Sequence, residues 1–392
     1  MTSGPGAGPS EPLVDLVIPV HDPGRPVGRA VRSVLAGNPD GVRVTVVCHG
    51  ISRDAVMGQF EGLAGRGLRV VEFADGIAAP TGPFNHGLDL ATGEYVGVMG
   101  SDDFLEPGAM DAWTSEVRRN NPDVLLAALR HQGASVLRNP LVRAWRRHRL
   151  EPVKDRLFYR SSPLGLLRRS LVNELGLRFT EGVRSGGDLA ISSRLWASGA
   201  RIDLASDTAC YVIGADADTR VTTAPMSAAV ALTAVNDLAR RDWLAASPAP
   251  VRRALSIKLI RVHLLGAVLA RPTADQWDAA SVDAVRGCLA ALLRLAPDAL
   301  EPFPRVDRDL LDVLLDRRTG PSDIAAAVTR HAAGGRAARL LPRTATRLFD
   351  REGVLVRYLL YAVDPGKRAA PRGRPASAST GRKGRIPFFP RA

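Results

Sequence analysis

The run Glu94-Tyr95-Val96-Gly97-Val98-Met99-Gly100-Ser101-Asp102-Asp103 closes a short apolar segment on two adjacent carboxylates. On a buried strand, such oxygens emerge at the rim of a sheet. There they suit a hard divalent cation, Mg²⁺ or Mn²⁺, which in turn neutralises a diphosphate. A plainer reading stays open, in which Ser101 or Asp102 caps the following helix and Pro107 sets its geometry. Two histidines also follow apolar runs, His21 after Leu13–Val20 and His49 after Val42–Val47. Each can offer a ring nitrogen to a ligand or serve the fold alone, and a turn at Gly50 accounts for the second without any ligand.

The elements that must position these groups alternate. Leu13 to Val20 reads as a strand, and Gly28 to Leu35 as a helix with Val31, Val34 and Leu35 on one face. Val42–Val47 and Leu68–Phe73 read as further strands, Ala55–Ala64 as a helix between them, then a helix through Gly87–Ala91 and a strand over Tyr95–Met99. Such alternation implies right-handed crossovers and a mostly parallel sheet with helices on both faces, whose ligands sit at the carboxyl ends of strands. Past Met226 the pattern turns helical over Met226–Ala246, Val251–Leu269, Thr273–Leu295 and Arg308–Leu315, and Thr273 with Gln276 has the spacing of a capping box. The expected division is a disordered N-terminus over 1–11, an α/β domain over 12–223, a smaller α-helical domain over 224–363 and a basic disordered tail over 364–392.

Composition excludes several classes. Hydrophobic residues make up 45% and charged ones 24%, a globular balance, and no apolar run approaches the ~20 residues that cross a bilayer. Met1 to Glu11 lacks the basic start and apolar stretch of a secretion signal, so a cytoplasmic location is expected. Cys48, Cys210 and Cys288 have no paired spacing and read as buried thiols, not as a disulfide framework or zinc site. Of the net charge of +13, eight positive charges fall in Gly366–Ala392. With no helix-turn-helix signature, zinc-finger spacing or aromatic-interleaved basic motif, specific nucleic-acid binding is not expected. The tail reads as solvated, or as an arm toward an anionic inner membrane face; the apolar Val354–Val363 reads as a helix packed on the helical domain, or as docking beside the tail on that face. The basic stretch Leu137–Arg160 reads either as a solvated face or as a grip on a phosphorylated acceptor.

Taken in order, Leu13–His21, Phe84-Asn85-His86-Gly87 through Ala91-Thr92-Gly93-Glu94-Tyr95, and the acidic pair resemble family 2 glycosyltransferases of the GT-A fold, over about Val14 to Tyr211. Leu166–Gly176 resembles the segment ahead of that family's catalytic acid, and Gly186-Gly187-Asp188-Leu189 its Glu-Asp motif. The resemblance implies a GT-A, Rossmann-like mixed sheet followed by the helical domain. It also implies inverting, hexosyl-type transfer from a nucleotide sugar, most simply a UDP-sugar, to a glycan or lipid-linked acceptor in cell-surface polysaccharide synthesis. Asp188 would be the general base, Asp103 would hold the Mg²⁺ or Mn²⁺, and Pro19, His21, His49, Asn85 and Asp102 would line the donor.

The departures thin the site. Val47-Cys48-His49-Gly50 stands where the family has an Asp-Asp-Gly turn that reads the base. Gly100 replaces the first Asp of the metal motif, Phe84 an Arg, and Gly187 the Glu beside the base. A second class of function is therefore kept: a catalytically silent GT-A protein that binds a nucleotide or glycan, or scaffolds other enzymes.

Overall fold

The structure is a computed structural model that describes residues 11–37, 41–63, 65, 67–215 and 226–362. The expectations for the N-terminal ten residues and the basic tail lie outside these. Four strands, β1 (Val14–Val20), β2 (Val42–His49), β3 (Leu68–Phe73) and β4 (Tyr95–Val98), are parallel neighbours in the order β4-β1-β2-β3. Every residue of β1 is buried, as expected of a strand covered on both faces. Its alternation sorts the two faces. Leu16, Ile18 and Val20 pack with Val27, Ala30, Val31 and Val34 of the helix Val27–Leu35, whereas Val17 packs with Leu88 and Ala91 at the end of the helix Thr81–Leu90.

A two-residue strand β5 (Phe104–Leu105) follows the acidic turn, and β6 (Val124–Leu126), β7 (Leu129–His131) and β8 (Val136–Leu137) come next. After them come β9 (Gly165–Arg168), β10 (Ile202–Leu204) and β11 (Tyr211–Ile213). The main sheet has the order β10-β6-β9-β4-β1-β2-β3, with β9 antiparallel to both neighbours, and a four-stranded sheet has the order β5-β11-β7-β8. The second sheet is absent from the sequence expectation. It matters for the site, because it seats Tyr211 beside the acidic turn.

The main sheet is anchored at its amino edge by Asp15, 1% exposed. Arg43 donates to both of its oxygens at 2.6 Å, and the N–H groups of Thr92 and Gly93 donate to Oδ2 at 2.7 Å. Burial pushes the Asp15 pKa up, but the Arg43 and backbone hydrogen bonds outweigh it and hold the carboxyl below its ordinary 3.8. A group whose folded pKa is depressed stabilises fully above the unfolded value and loses that contribution as pH falls through the folded one. Asp15→Asn should therefore cost about 2–3 kcal/mol in urea unfolding at pH 7. The gap to the native protein should close below pH 3.8. A gap independent of pH would show that the charge is not what matters.

From Ala228 to Ala362 the chain is helical, chiefly Ala249–Lys258, Ala279–Leu295, Arg305–Leu315 and Pro321–Ala333. The Thr273–Gln276 capping box forms, but it closes a single 3₁₀ turn. The long helix starts at Ala279, capped by Asp278 accepting from the Ser281 N–H at 2.7 Å. No helix of the described residues is long and apolar enough to cross a membrane. One apolar core joins the two regions, running from Val17, Val96 and Leu126 through Trp196 to Leu255, Leu289 and Leu310.

Candidate active site

Because β1, β2, β3 and β4 are parallel, their carboxyl ends share one edge, and His21, His49 and the acidic turn all emerge there. The turn is clamped from both sides. Asp102 Oδ1 pairs with Arg25 at 3.1 Å, and its carbonyl accepts from Arg29 at 2.6 Å. Asp103 turns the other way. Tyr211 donates its hydroxyl to Oδ2 at 2.5 Å and the Gly214 N–H donates to Oδ1 at 2.9 Å. A Cβ on Gly214 would sit 1.9 Å from the Asp102 carbonyl oxygen, so only glycine brings that N–H so close. Burial, with the Asp102 charge beside it, pushes the Asp103 pKa up against these hydrogen bonds.

Adjacent residues thus divide the labour. Asp102 stays at the rim, whereas both oxygens of Asp103, the residue expected to hold the metal, are engaged within the protein. Gly100 is crowded too, since a Cβ there would lie 2.7 Å from Asp103 Oδ2. The acid missing at that position has no ready space.

His49 Nε2 lies 2.7 Å from Asp75 Oδ1, an oxygen that also accepts the Ile77 N–H at 2.9 Å. Phe73, 5.9 Å from the His49 ring, stacks on His86 at 4.7 Å. These side chains wall the edge between β2, β3 and the helix Thr81–Leu90. His21 is exposed and feels Arg25, Asp22, His49 and Asp102; partial desolvation of its ring and the Arg25 charge together lower its pKa. Pro19 lies within β1 opposite Val47.

Asn85 does not reach this edge with a free group. Its Nδ2 donates to the Phe179 carbonyl at 3.0 Å and to Glu181 at 2.7 Å, while its Oδ1 accepts the Phe179 N–H at 2.9 Å. The expected donor contact is a clasp between two parts of the fold.

Asp188 precedes the helix Leu189–Ala197, and apart from its own N–H its carboxylate has no hydrogen-bond partner among the described residues. Burial raises its pKa, and the charge of Lys258 opposes that rise. A Cβ on the adjacent Gly187 would lie 2.4 Å from Thr81 Cγ2, and one on Gly82 only 2.1 Å from Asp75 Oδ2. Contact therefore runs unbroken from Asp188 through Gly187, Thr81 and Gly82 to Asp75 and His49. From there His21 leads electrostatically to Asp102. The backbone next to Asp188 thus packs on the helix start that flanks the edge where His49 lies. Gly187 also explains a departure from the expected motif, because Thr81 fills the room a Glu side chain would need.

Other charged groups are spent on the fold. Of the basic stretch, Arg143 binds Asp155 at 2.7 Å, Arg138 donates to the carbonyls of Leu360 and Tyr361, and Arg156 and Arg160 are buried. These guanidiniums are engaged within the protein. The helix Val354–Ala362 takes the two Arg138 bonds but buries none of its residues fully. Glu116, His148 and Asp203 bring ligand atoms within 4.8 Å of one another. However, Asp203 lies on the edge strand β10 and already binds Arg201, His148 and the Arg149 N–H, away from the acidic turn.

Residues 15–176 match the family model "Glycosyl transferase family 2". The chain is 27% identical over 200 residues to the succinoglycan biosynthesis protein ExoU of Rhizobium meliloti (strain 1021). That match covers 48% of this chain and 58% of that protein, so the chain spans little more than half of its relative. Among solved structures it is similar to S. aureus TarS 1–349 in complex with UDP-GlcNAc, with a TM-score of 0.66 at 18% identity over 82% of this chain and 92% of that one. The same protein in complex with UDP gives 0.64 at 17% identity, over the same shares of the two chains. At such identities the likeness is one of fold. A seven-stranded, mostly parallel sheet with helices on both faces, the ordered motifs and the family match agree: residues 15–176 match family 2 glycosyltransferases, on a sheet like that of the GT-A fold.

Proposed function

We propose that the chain is an inverting glycosyltransferase, moving a hexosyl group from a nucleoside-diphosphate donor to a hydroxyl of a glycan or lipid-linked acceptor in cell-surface polysaccharide synthesis. The observation that supports this reading is that Gly187, next to Asp188, packs on Thr81 beside the edge that carries His49 and the Asp102–Asp103 turn. Asp188 takes the proton of the acceptor hydroxyl as its oxygen attacks the anomeric carbon. At the same time the bond from that carbon to the diphosphate oxygen breaks, and the nucleoside diphosphate leaves. A carboxylate hydrogen-bonded to nothing beyond its own N–H among the described residues, with burial raising its basicity, suits the first task.

A metal at the second task fits one acid better than two. Mg²⁺ and Mn²⁺ accept one or two carboxylates together with substrate phosphates. Asp102, at the rim, is the residue to hold such an ion, and Asp103 holds the turn in shape through Tyr211 and Gly214. Bound there, the cation neutralises charge on the leaving group. Arg25 stands beside the same position. His49 and Asp75, with Phe73 and His86, form the wall for the base, and His21 flanks it. UDP is the favoured nucleotide, supported by the similarity to a protein solved with UDP and with UDP-GlcNAc.

The thinned site, with Gly100 and Gly187 in place of acids, favours a second reading in which nucleotide binds without turnover. Calorimetry with UDP and Mn²⁺, paired with a transfer assay over a donor panel, separates the two. Asp102→Ala should weaken Mn²⁺-dependent UDP binding about tenfold or more. Asp103→Ala should chiefly lower the melting temperature. Undiminished binding in Asp102→Ala would remove the metal assignment, and binding without transfer from any donor would favour the silent protein.

A further inference from the structure

A surface helix of a globular protein turns its charges to water and its apolar stripe to the core. The helix Val354–Ala362 does the reverse. Its one charged residue, Arg357, turns toward the protein, with its guanidinium 4.4 Å from the centre of the Tyr159 ring. Outward it shows Tyr358, 56% exposed, and Leu359, 46% exposed. The exposed Ala362, four positions beyond the first and three beyond the second, shares that side. The helix is held from within by Arg138, which donates to the carbonyls of Tyr361 at 2.9 Å and Leu360 at 3.1 Å. Phe349, on the turn ahead of the helix, is 80% exposed.

The surroundings of this apolar face are cationic. From Ile324 to Ala362 the acids are Asp350 and Glu352 alone, and both are spent inside the protein. Asp350 pairs with Arg253 at 2.8 Å, and Glu352, 3% exposed, lies beside Arg261. The short helix Arg336–Leu340 packs next to Val354–Ala362 and leaves Arg336 and Arg339 exposed, as is Arg351 just before the helix starts. Further along the chain, Gly366–Ala392 adds eight positive charges and no acid.

We infer that this face docks on an anionic lipid surface, with Tyr358 and Leu359 at the boundary of headgroups and acyl chains and the arginines against lipid phosphates. Nine residues of helix span about 14 Å, well short of the ~30 Å hydrocarbon core, so the helix lies on a bilayer and does not cross it. A tyrosine beside a leucine suits that boundary, where an amphipathic ring is stable. One short apolar face anchors a protein only weakly, and a basic segment does the same; the two together anchor it stably. A second copy of the chain is the poorer occupant, because it would set the same arginines face to face. The inference does not depend on the transferase reading.

The test is sedimentation of the full chain with vesicles of phosphatidylcholine, alone or with about one third phosphatidylglycerol. Binding to the mixed vesicles should exceed binding to the neutral ones about tenfold or more at about 0.1 M salt, and should fall steeply toward about 1 M. Tyr358→Ser combined with Leu359→Ser should lower partitioning into the mixed vesicles about tenfold or more. A second measurement serves where that variant does not fold. Cys48, Cys210 and Cys288 are buried, so an environment-sensitive dye on Leu359→Cys reports from that position. Its emission should move to the blue with the mixed vesicles, whereas that of a dye on Asp54→Cys, at a side chain 90% exposed in the sheet region, should not. Equal binding to both kinds of vesicle, unchanged partitioning in the serine variant or dyes that respond alike would overturn the inference. So would a dimer that the two serines dissociate, or binding to an acidic polysaccharide with none to the vesicles.

Discussion

Asp188→Asn is expected to cut the rate of sugar transfer by about 10²–10⁴-fold, the usual contribution of a positioned general base. Asparagine keeps the shape of the side chain and removes only its capacity to take a proton, so UDP affinity and melting temperature should change little. The pH dependence follows from the sign of the shift. Burial raises the Asp188 pKa above its ordinary 3.8, so the acid limb of the native enzyme should lie above that value and vanish from the residual activity of the variant. Transfer kept within about threefold of native would be too small a loss for a general base and would return the role to another group.

Arg160→Met should be the most destabilising single change in the basic stretch, costing about 3–5 kcal/mol in urea unfolding. Arg160 is 2% exposed. Its guanidinium donates to the carbonyls of Ser162, Asn139, Ala127 and Leu164, at 3.1 Å for the first and 3.0 Å for the others. Its own carbonyl accepts the Trp196 indole N–H at 2.9 Å, which ties the end of the 3₁₀ turn Leu157–Tyr159 to the helix that begins after Asp188. Methionine fills the volume but takes the donor from the carbonyls of Ser162, Asn139 and Ala127, while that of Leu164 keeps the Ala127 N–H. The exposed Arg149→Met should cost no more than about 0.5 kcal/mol. Equal losses at the two positions would show that Arg160 does not organise this junction.

The two arginines also show where sequence reasoning stops. In a stretch so rich in basic residues, nothing local separates a guanidinium that will meet solvent from one that will meet four carbonyls drawn from 127 to 164. The strands β1 to β4 and the helix Val27–Leu35 were legible because hydrophobic period is a local property. The second sheet was not, because strands of two and three residues carry no period and exist through pairing with distant segments. The helix through Gly87 was anticipated only in its last turn, since Pro80, Gly82 and Pro83 disguise a start at Thr81.

The same limit applies to the site. The acidic pair was visible as a pair, but which member faces the cleft is decided by Tyr211 and Gly214, more than a hundred residues away. Asn85 matched a motif position and proved to be a clasp. Lys258 gave no signal at all, because a lysine at helical spacing reads by default as a solvated one. At the end of the helix Ala249–Lys258 it is buried instead, by packing that no propensity marks.

The apolar core that passes from beneath the sheet into the helices has a practical corollary. A family match that stops at residue 176 invites the excision of a minimal catalytic unit. Yet Trp196 and Leu195 pack in one cluster with Leu232, Leu255 and Leu289. Severing the chain between them would bare an oily surface on each half, and the pieces should clump on expression instead of behaving as two independent modules.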